Sequence, residues 1–168
     1  MKKILYLTIP FILISCATKK NDNRFEKIIF HTSKCFGTCT EYHLEINQKK
    51  EIKLHIEKVY EKRTLDTFKI GYYKGKLDDE TYLELLSLIE QIDIEKSGNI
   101  EPKSESNTIL IKEGSQLSLI LYFKKQRKSM IYIHPVGHWQ KLMTYVHKIA
   151  NSENLTKVAK KFEIEPFD

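Results

Sequence analysis

The sequence predicts an α+β fold: one antiparallel sheet of about six to seven strands, two main helices packed on one face of it, and a short C-terminal helix. Three patterns lead there. Tyr42, Leu44 and Ile46, and then Ile52, Leu54 and Ile56, alternate with polar residues, the period-2 signature of half-buried strands. Two other stretches carry apolar residues at helical spacing. The connections between neighbouring strands are short turns, whereas parallel pairing needs crossovers of about a dozen residues or more.

The elements follow in order. Phe25 to Ser33 is a first strand centred on Ile28, Ile29 and Phe30. The two alternating runs flank Asn47-Gln48-Lys49-Lys50, a polar turn, and so form a hairpin. A further short strand is expected over Thr67 to Tyr73, ended by Gly75. Asp78 is a natural N-cap, with Asp79 and Glu80 in the first turn, where the helix dipole favours acids. Leu77 can staple onto Tyr82, and Tyr82, Leu85, Leu86, Ile89 and Ile92 form the stripe of the first helix. Residues 95–106, with Gly98 and Pro102, read as a polar loop.

Three more strands are expected, at Thr108–Lys112, Gln116–Lys124 and Lys128–His134. The turns Glu113-Gly114-Ser115 and Lys125-Gln126-Arg127 make them an antiparallel meander. Pro135 stops the last strand. Trp139, Leu142, Met143, Val146 and Ile149 mark a second helix, and Leu155, Val158, Ala159 and Phe162 the short C-terminal one. The order strands, helix, strands, helix has the form of two halves, yet no residues repeat between them.

Upstream of the first strand, Lys2 and Lys3 precede an apolar run, Ile4 to Ile14, which ends in Leu13-Ile14-Ser15-Cys16. This arrangement resembles the lipobox of bacterial lipoproteins, in which the cysteine is acylated and becomes the mature N-terminus. The apolar run is shorter than the roughly 20 residues that span a bilayer. The resemblance implies a signal peptide over residues 1–15, a lipidated Cys16 with a tether over residues 16–24, and a single domain over residues 25–168. Acyl chains contribute about 0.8 kcal/mol per buried CH₂, and two or more give stable attachment. The eight tether residues after Cys16 reach about 26–29 Å at full extension. Ala17 stands where some bacteria place the aspartate that retains lipoproteins in the inner membrane. The expected address is therefore the cell envelope, at the outer membrane facing the periplasm.

Charge fits a membrane-side domain. The chain has 28 basic and 22 acidic residues, and loss of Lys2 and Lys3 leaves 26 basic residues and a net +4. That mild excess gives a weak attraction to anionic head groups, and nucleic acid is not an expected partner. The expected partners are the membrane, through the acyl chains, and an envelope protein.

With Cys16 acylated, Cys35 and Cys39 remain as one pair in an oxidising compartment. Gly37 permits a tight reversal that brings the two sulfurs together. Four readings stay open. The first is a structural disulfide closing a five-residue loop, at about 2 kcal/mol on the loop-entropy account. The second is a redox-active disulfide, although the spacing is CxxxC and no helix N-terminus follows to depress a thiol pKa. The third is a metal site of His31, Cys35, Cys39 and His43, two histidines and two cysteines making a tetrahedral zinc set. The fourth is a pair of reduced thiols buried as small apolar groups.

Ser33-Lys34-Cys35-Phe36-Gly37-Thr38-Cys39, with Tyr42 and Leu44 after it, resembles the signature of the domain-of-unknown-function family 6438, C-[FY]-G-x-C-P-x-Y followed by an alternating strand. Gly71-Tyr72-Tyr73-x-Gly75-x-Leu77 and the helix after it are similar too, so the likeness runs from about Ile28 to Val146. Thr40 stands where the family usually has proline. The resemblance implies a domain and an address, with no known activity.

Other candidates have plainer readings. Lys124, Lys125, Arg127 and Lys128 form a solvated hairpin tip, with lipid head-group contact as the alternative. His138 and His147 are nine residues apart and do not share a helical face; His134 lies near them. Trp139 belongs to a core stripe, and Glu80, Glu84 and Glu90 to a solvated helix face. No GxSxG, HExxH or phosphate-cradling glycine loop is present. No catalytic or cofactor-binding residue is assigned and no cofactor is implied. The expected function is that of a non-enzymatic binding or structural module in the envelope. The alternative is a thiol- or metal-dependent periplasmic enzyme using the Cys35/Cys39 loop.

Overall fold

The computed structural model describes residues 25–33, 39–61, 63–92, 115–132 and 135–167. The signal peptide, Cys16 and its tether, Cys35, the 95–106 loop, the expected strand Thr108–Lys112 and His134 lie outside the described residues. The elements are β1 (Phe25–Thr32), β2 (Glu41–Asn47), β3 (Glu51–Lys58), β4 (Tyr60–Glu61), β5 (Thr64–Leu65), β6 (Gly71–Lys76), α1 (Asp79–Glu90), β7 (Leu117–Phe123), β8 (Gln126–Tyr132), α2 (Gly137–Ala150) and β9 (Thr156–Val158). Seven strands form one sheet in the order β8-β7-β1-β2-β3-β6-β9, every neighbouring pair antiparallel. The α+β expectation holds, with both helices on one face. Among the described residues no helix is long and apolar enough to cross a membrane.

The helix-side core follows from the two periodicities. Ile28 and Phe30 of β1, Leu44 and Ile46 of β2, Ile52 and Leu54 of β3, and Leu119 and Leu121 of β7 all point at the helices. They meet Tyr82, Leu85 and Ile89 of α1 and Leu142, Met143, Val146 and Ile149 of α2. α1 starts where its cap dictates: the Asp78 carboxylate accepts from Thr81 N–H at 2.7 Å. Tyr145 of α2 donates its hydroxyl to the Thr81 carbonyl at 3.1 Å and holds the helices together. Ile29 and Ile120 are fully buried too, on the opposite face, so that face is also covered.

Three local differences from the sequence reading have physical causes. The strand expected at Thr67–Tyr73 begins only at Gly71, because a small β4–β5 hairpin and its following turn occupy the preceding residues. Gly75 does not end that strand but lies within it, opposite Ile52. A Cβ there would come within 2.8 Å of the Asn154 carbonyl oxygen, so only glycine admits the close passage of Asn154-Leu155. The β7–β8 turn is Lys124-Lys125, both with positive φ (51° and 62°), which gives a two-residue hairpin with β8 starting at Gln126.

The C-terminal helix is a correction. Leu155, Val158, Ala159 and Phe162 have helical spacing, but Leu155 packs on the helix-side core while Phe162 meets the Tyr72 ring on the other face of the sheet. One helix stripe cannot serve both faces. The free edge of β6 takes Thr156–Val158 as a short strand instead, which satisfies hydrogen-bonding groups that would otherwise stay unpaired.

Candidate functional site

Because side chains alternate across a strand, the residues between the core positions line the face away from the helices. Register then decides which of them meet. Ile131, Ser118, His31, His43, His55, Tyr72 and Val158 stand directly opposite one another across all seven strands, one row with three histidines at its centre. Their rings touch in sequence. His31 and His43 centroids are 4.9 Å apart, and those of His43 and His55 5.9 Å apart. His55 stacks flat on Tyr72 at 4.1 Å.

After β9 the chain crosses this face as a strap. Glu165 anchors it, accepting from Lys27 Nζ at 2.9 Å, the Tyr122 hydroxyl at 2.7 Å and Arg127 Nε at 3.1 Å. Burial alone would raise the Glu165 pKa, but these three donors outweigh it and hold the carboxyl at about 2. Phe162 meets the Tyr72 ring edge-on and carries Lys74 Nζ over its face. Between strap and sheet lies a cleft of about 490 Å³, lined among others by His31, Glu41, His43, His55, Glu57 and Tyr72. A smaller cleft of about 220 Å³, where α1 and α2 meet the β3–β6 edge, contains no histidine.

The hydrogen bonds in the larger cleft form a chain. His31 Nδ1 and His43 Nδ1 are 2.7 Å apart, and His43 Nε2 is 3.0 Å from Glu57 Oε1. A carboxylate only accepts, so in a neutral His43 the proton sits on Nε2 and Nδ1 is the acceptor. His31 must then donate from Nδ1, which leaves a bare lone pair on its Nε2. That nitrogen is buried and has no hydrogen-bond partner. Burial, reinforced by the neighbouring His43, lowers the His31 pKa to about 4, while the Glu165 main-chain carbonyl opposes this by favouring a protonated ring. Burial also lowers His55, with Glu57 acting against it.

Glu41 Oε2 is buried without a hydrogen bond as well; the nearest cation, Lys58 Nζ, is 3.7 Å away. Among the described residues these two are the buried side-chain polar atoms lacking a partner, and both residues line this one cleft. Native interiors leave few such atoms, and each calls for a physical reason such as a bound water, ion or ligand.

The two ends of the cysteine segment, at Thr32 and Thr40, meet beside the row. Thr32 Oγ1 donates to the Thr40 carbonyl at 2.8 Å and accepts from Tyr42 N–H at 3.0 Å, clamping both ends of the connection. Cys39 is disulfide-bonded. Its sulfur is thus no thiolate ligand, and of the set His31, Cys35, Cys39 and His43 the described contacts join the two histidines only. His55 and Tyr72 continue the row instead, with Glu57 beside it in the cleft, and periodicity alone did not single them out.

The chain belongs to the DUF6438 family. This domain of unknown function matches residues 26–151, from β1 through α2. No curated protein and no solved structure matches the chain. The matched span contains every histidine of the row; the strap that covers them lies beyond it.

The remaining candidates take structural roles. The Tyr42 hydroxyl is hydrogen-bonded to His147 Nδ1 at 2.6 Å and ties β2 to α2, with the phenol pushed up and the imidazole pushed down by burial. His138 is exposed, Trp139 packs on Tyr132, and Glu80, Glu84 and Glu90 lie on the solvent face of α1.

Proposed function

We propose that this is a lipid-anchored envelope lipoprotein whose domain is a non-enzymatic binding module, with the strap-covered cleft as its binding site. The observation that supports the binding reading is the placement of His31 Nε2 and Glu41 Oε2, both buried and without a hydrogen bond, in one cleft. Leaving such a group unsatisfied costs about 1–3 kcal/mol, which a bound species with matching donors or acceptors recovers. The address rests on the lipobox resemblance at Leu13-Ile14-Ser15-Cys16, and the disulfide of Cys39 is assigned to Cys35. The chain then sits at the outer membrane facing the periplasm, held by its acyl chains, with an envelope protein as a further partner.

A second reading, a metal-dependent periplasmic enzyme, draws support from the proximity of His43, His55 and Glu57. Its thiol-dependent version has no free nucleophile at a disulfide-bonded Cys39.

Native mass spectrometry of the full chain extracted from membranes, without reductant or chelator, tests the proposal. A bound species that is lost from His55→Ala is expected, on a chain carrying acyl groups. A bare polypeptide mass would overturn the binding reading. A chain that remains in the membrane fraction after Cys16→Ser would overturn the anchor.

A further inference from the structure

We infer that His43, His55 and Glu57 form a binding site for a divalent transition-metal ion of the zinc class, with His31 orienting His43 behind it. The inference deepens the binding reading above and rests on it for the choice of cleft. Three donors of zinc-type chemistry, two imidazoles and a carboxylate, lie with their ligand atoms all within 4.8 Å of one another. Zinc bonds of about 2.0–2.2 Å to nitrogen and oxygen set ligand spacings near 3.3 Å in a tetrahedron. His43 Nε2 and Glu57 Oε1, at 3.0 Å, are already near that spacing. His55 must close the remaining gap, and its stacking on Tyr72 fixes the plane of its ring. Three protein ligands leave one coordination position facing the open cleft.

The stronger argument is the tautomer. Without metal, a neutral His43 that donates from Nε2 to Glu57 takes its Nδ1 hydrogen bond from His31, which leaves the buried His31 Nε2 without a proton. With metal on His43 Nε2, the His43 proton moves to Nδ1 and donates to His31 Nδ1 across the 2.7 Å contact. His31 then carries its own proton on Nε2. Each ring holds one proton before and after, so no net proton is taken up or released. The buried lone pair of the metal-free arrangement becomes an N–H donor, and the Glu165 main-chain carbonyl acts on the same ring as an acceptor. Metal-bound histidines almost always donate their second ring N–H in this way, and such partners typically change metal affinity 10- to 100-fold.

The groups that face the site from the packed elements are His31 on β1, Glu41 on β2, Lys58 on β3, Tyr72 on β6, and Lys161, Glu163 and the Glu165 carbonyl on the strap, Lys161 acting on His55 against a cation. The acids are suited to a cation.

The test titrates Zn²⁺ into the full-length chain, purified without reductant, against a chromophoric chelator. One equivalent is expected to bind. His55→Ala and Glu57→Gln should each weaken binding at least about tenfold, and His31→Asn about 10- to 100-fold. Circular dichroism monitors folding in each variant. Co²⁺ in place of Zn²⁺ should give visible bands of a four-coordinate site, and these should survive Cys39→Ser. Long-range ¹H–¹⁵N NMR should show the His31 proton on Nδ1 without metal and on Nε2 with it. Absence of stoichiometric binding would overturn the inference. So would binding that survives loss of both His55 and Glu57, or a His31 tautomer that Zn²⁺ leaves unchanged. If Zn²⁺ fails but native mass spectrometry still finds a cleft-bound species, the metal assignment falls and the binding module stands.

Discussion

His31 makes the fold acid-sensitive in a range where carboxylates are silent. Its pKa is lowered from 6.5 to about 4 in the folded protein, by burial first and by His43 second. A group depressed in this way is neutral in both states above pH 6.5. Below that value the unfolded chain takes up a proton that the folded chain refuses, so stability is lost as pH falls toward 4. At about 1.36 kcal/mol per pKa unit, the loss between pH 7 and pH 5 is about 2 kcal/mol, and it reaches about 3 kcal/mol by pH 4. For a domain of this size 2 kcal/mol corresponds to about 6 °C in melting temperature. The assay is urea unfolding without metal, followed by the fluorescence of Trp139, at half-unit steps from pH 7 to pH 5. His55 and His147 are also lowered by burial and add loss of the same sign, so the diagnostic quantity is the difference from His31→Asn. The carboxyl of Glu165 titrates below this window and does not contribute. The variant should lose about 2 kcal/mol less than the wild type over the same steps. Equal slopes would refute the reasoning, because the protonation of a buried His31 would then not be linked to folding.

Three other perturbations follow from the described contacts. Glu165→Gln should free the strap at a cost of about 1–2 kcal/mol after solvent screening, seen as faster chymotryptic cleavage at Phe162. Since the folded carboxyl is depressed to about 2, that contribution is complete above pH 4.5 and fades as pH falls through about 2. Asp78→Ala removes the acceptor for Thr81 N–H and should cost about 1 kcal/mol in denaturant unfolding, with an unchanged m-value. Gly75→Ala drives a methyl group into the Asn154 carbonyl and should cost about 1–3 kcal/mol, with the largest rise in amide exchange in β9.

The helix side of the sheet was legible because burial there repeats at the period of each element. Tyr42, Leu44 and Ile46 are buried with Ile52 and Leu54, and Tyr82, Leu85 and Ile89 with Val146 and Ile149. The other face was half legible. His43 could be placed opposite Tyr42 and Leu44 by alternation, and the hairpin carries more than that. Once Ile46 pairs with Ile52 across the turn, His43 must face His55 and Glu45 must face Lys53. His31 and Tyr72 were not legible, because their places in the row depend on pairings across longer connections. The strap was hidden for another reason. Glu163-Ile164-Glu165-Pro166 has no period, and its fixed course comes from three donors on β1, β7 and β8 that meet one carboxylate.

The two faces also differ in how they meet their polar groups. On the helix side the buried Tyr42 hydroxyl has its hydrogen-bond partner in His147, and the pair holds β2 to α2. On the strap side the same chemistry is left incomplete. His31 is 8% exposed and Glu41 keeps one carboxylate oxygen out of water, and neither His31 Nε2 nor Glu41 Oε2 finds a hydrogen bond, the latter having only Lys58 at 3.7 Å. At about 1–3 kcal/mol each, two such atoms take a sizeable part of the 5–15 kcal/mol by which a domain is stable. An apolar residue in place of His31 would fill the row beside Ile29 and Ile120 without that cost. The row is therefore poorly explained as packing, and it fits the proposed binding module, whose ligand would supply a cation or a set of donors. That distinction is measurable: His31→Leu should raise the metal-free stability at pH 5 and, in the same protein, weaken Zn²⁺ binding. A variant that loses stability at pH 5 with its metal affinity intact would make the histidine row a structural element and nothing more.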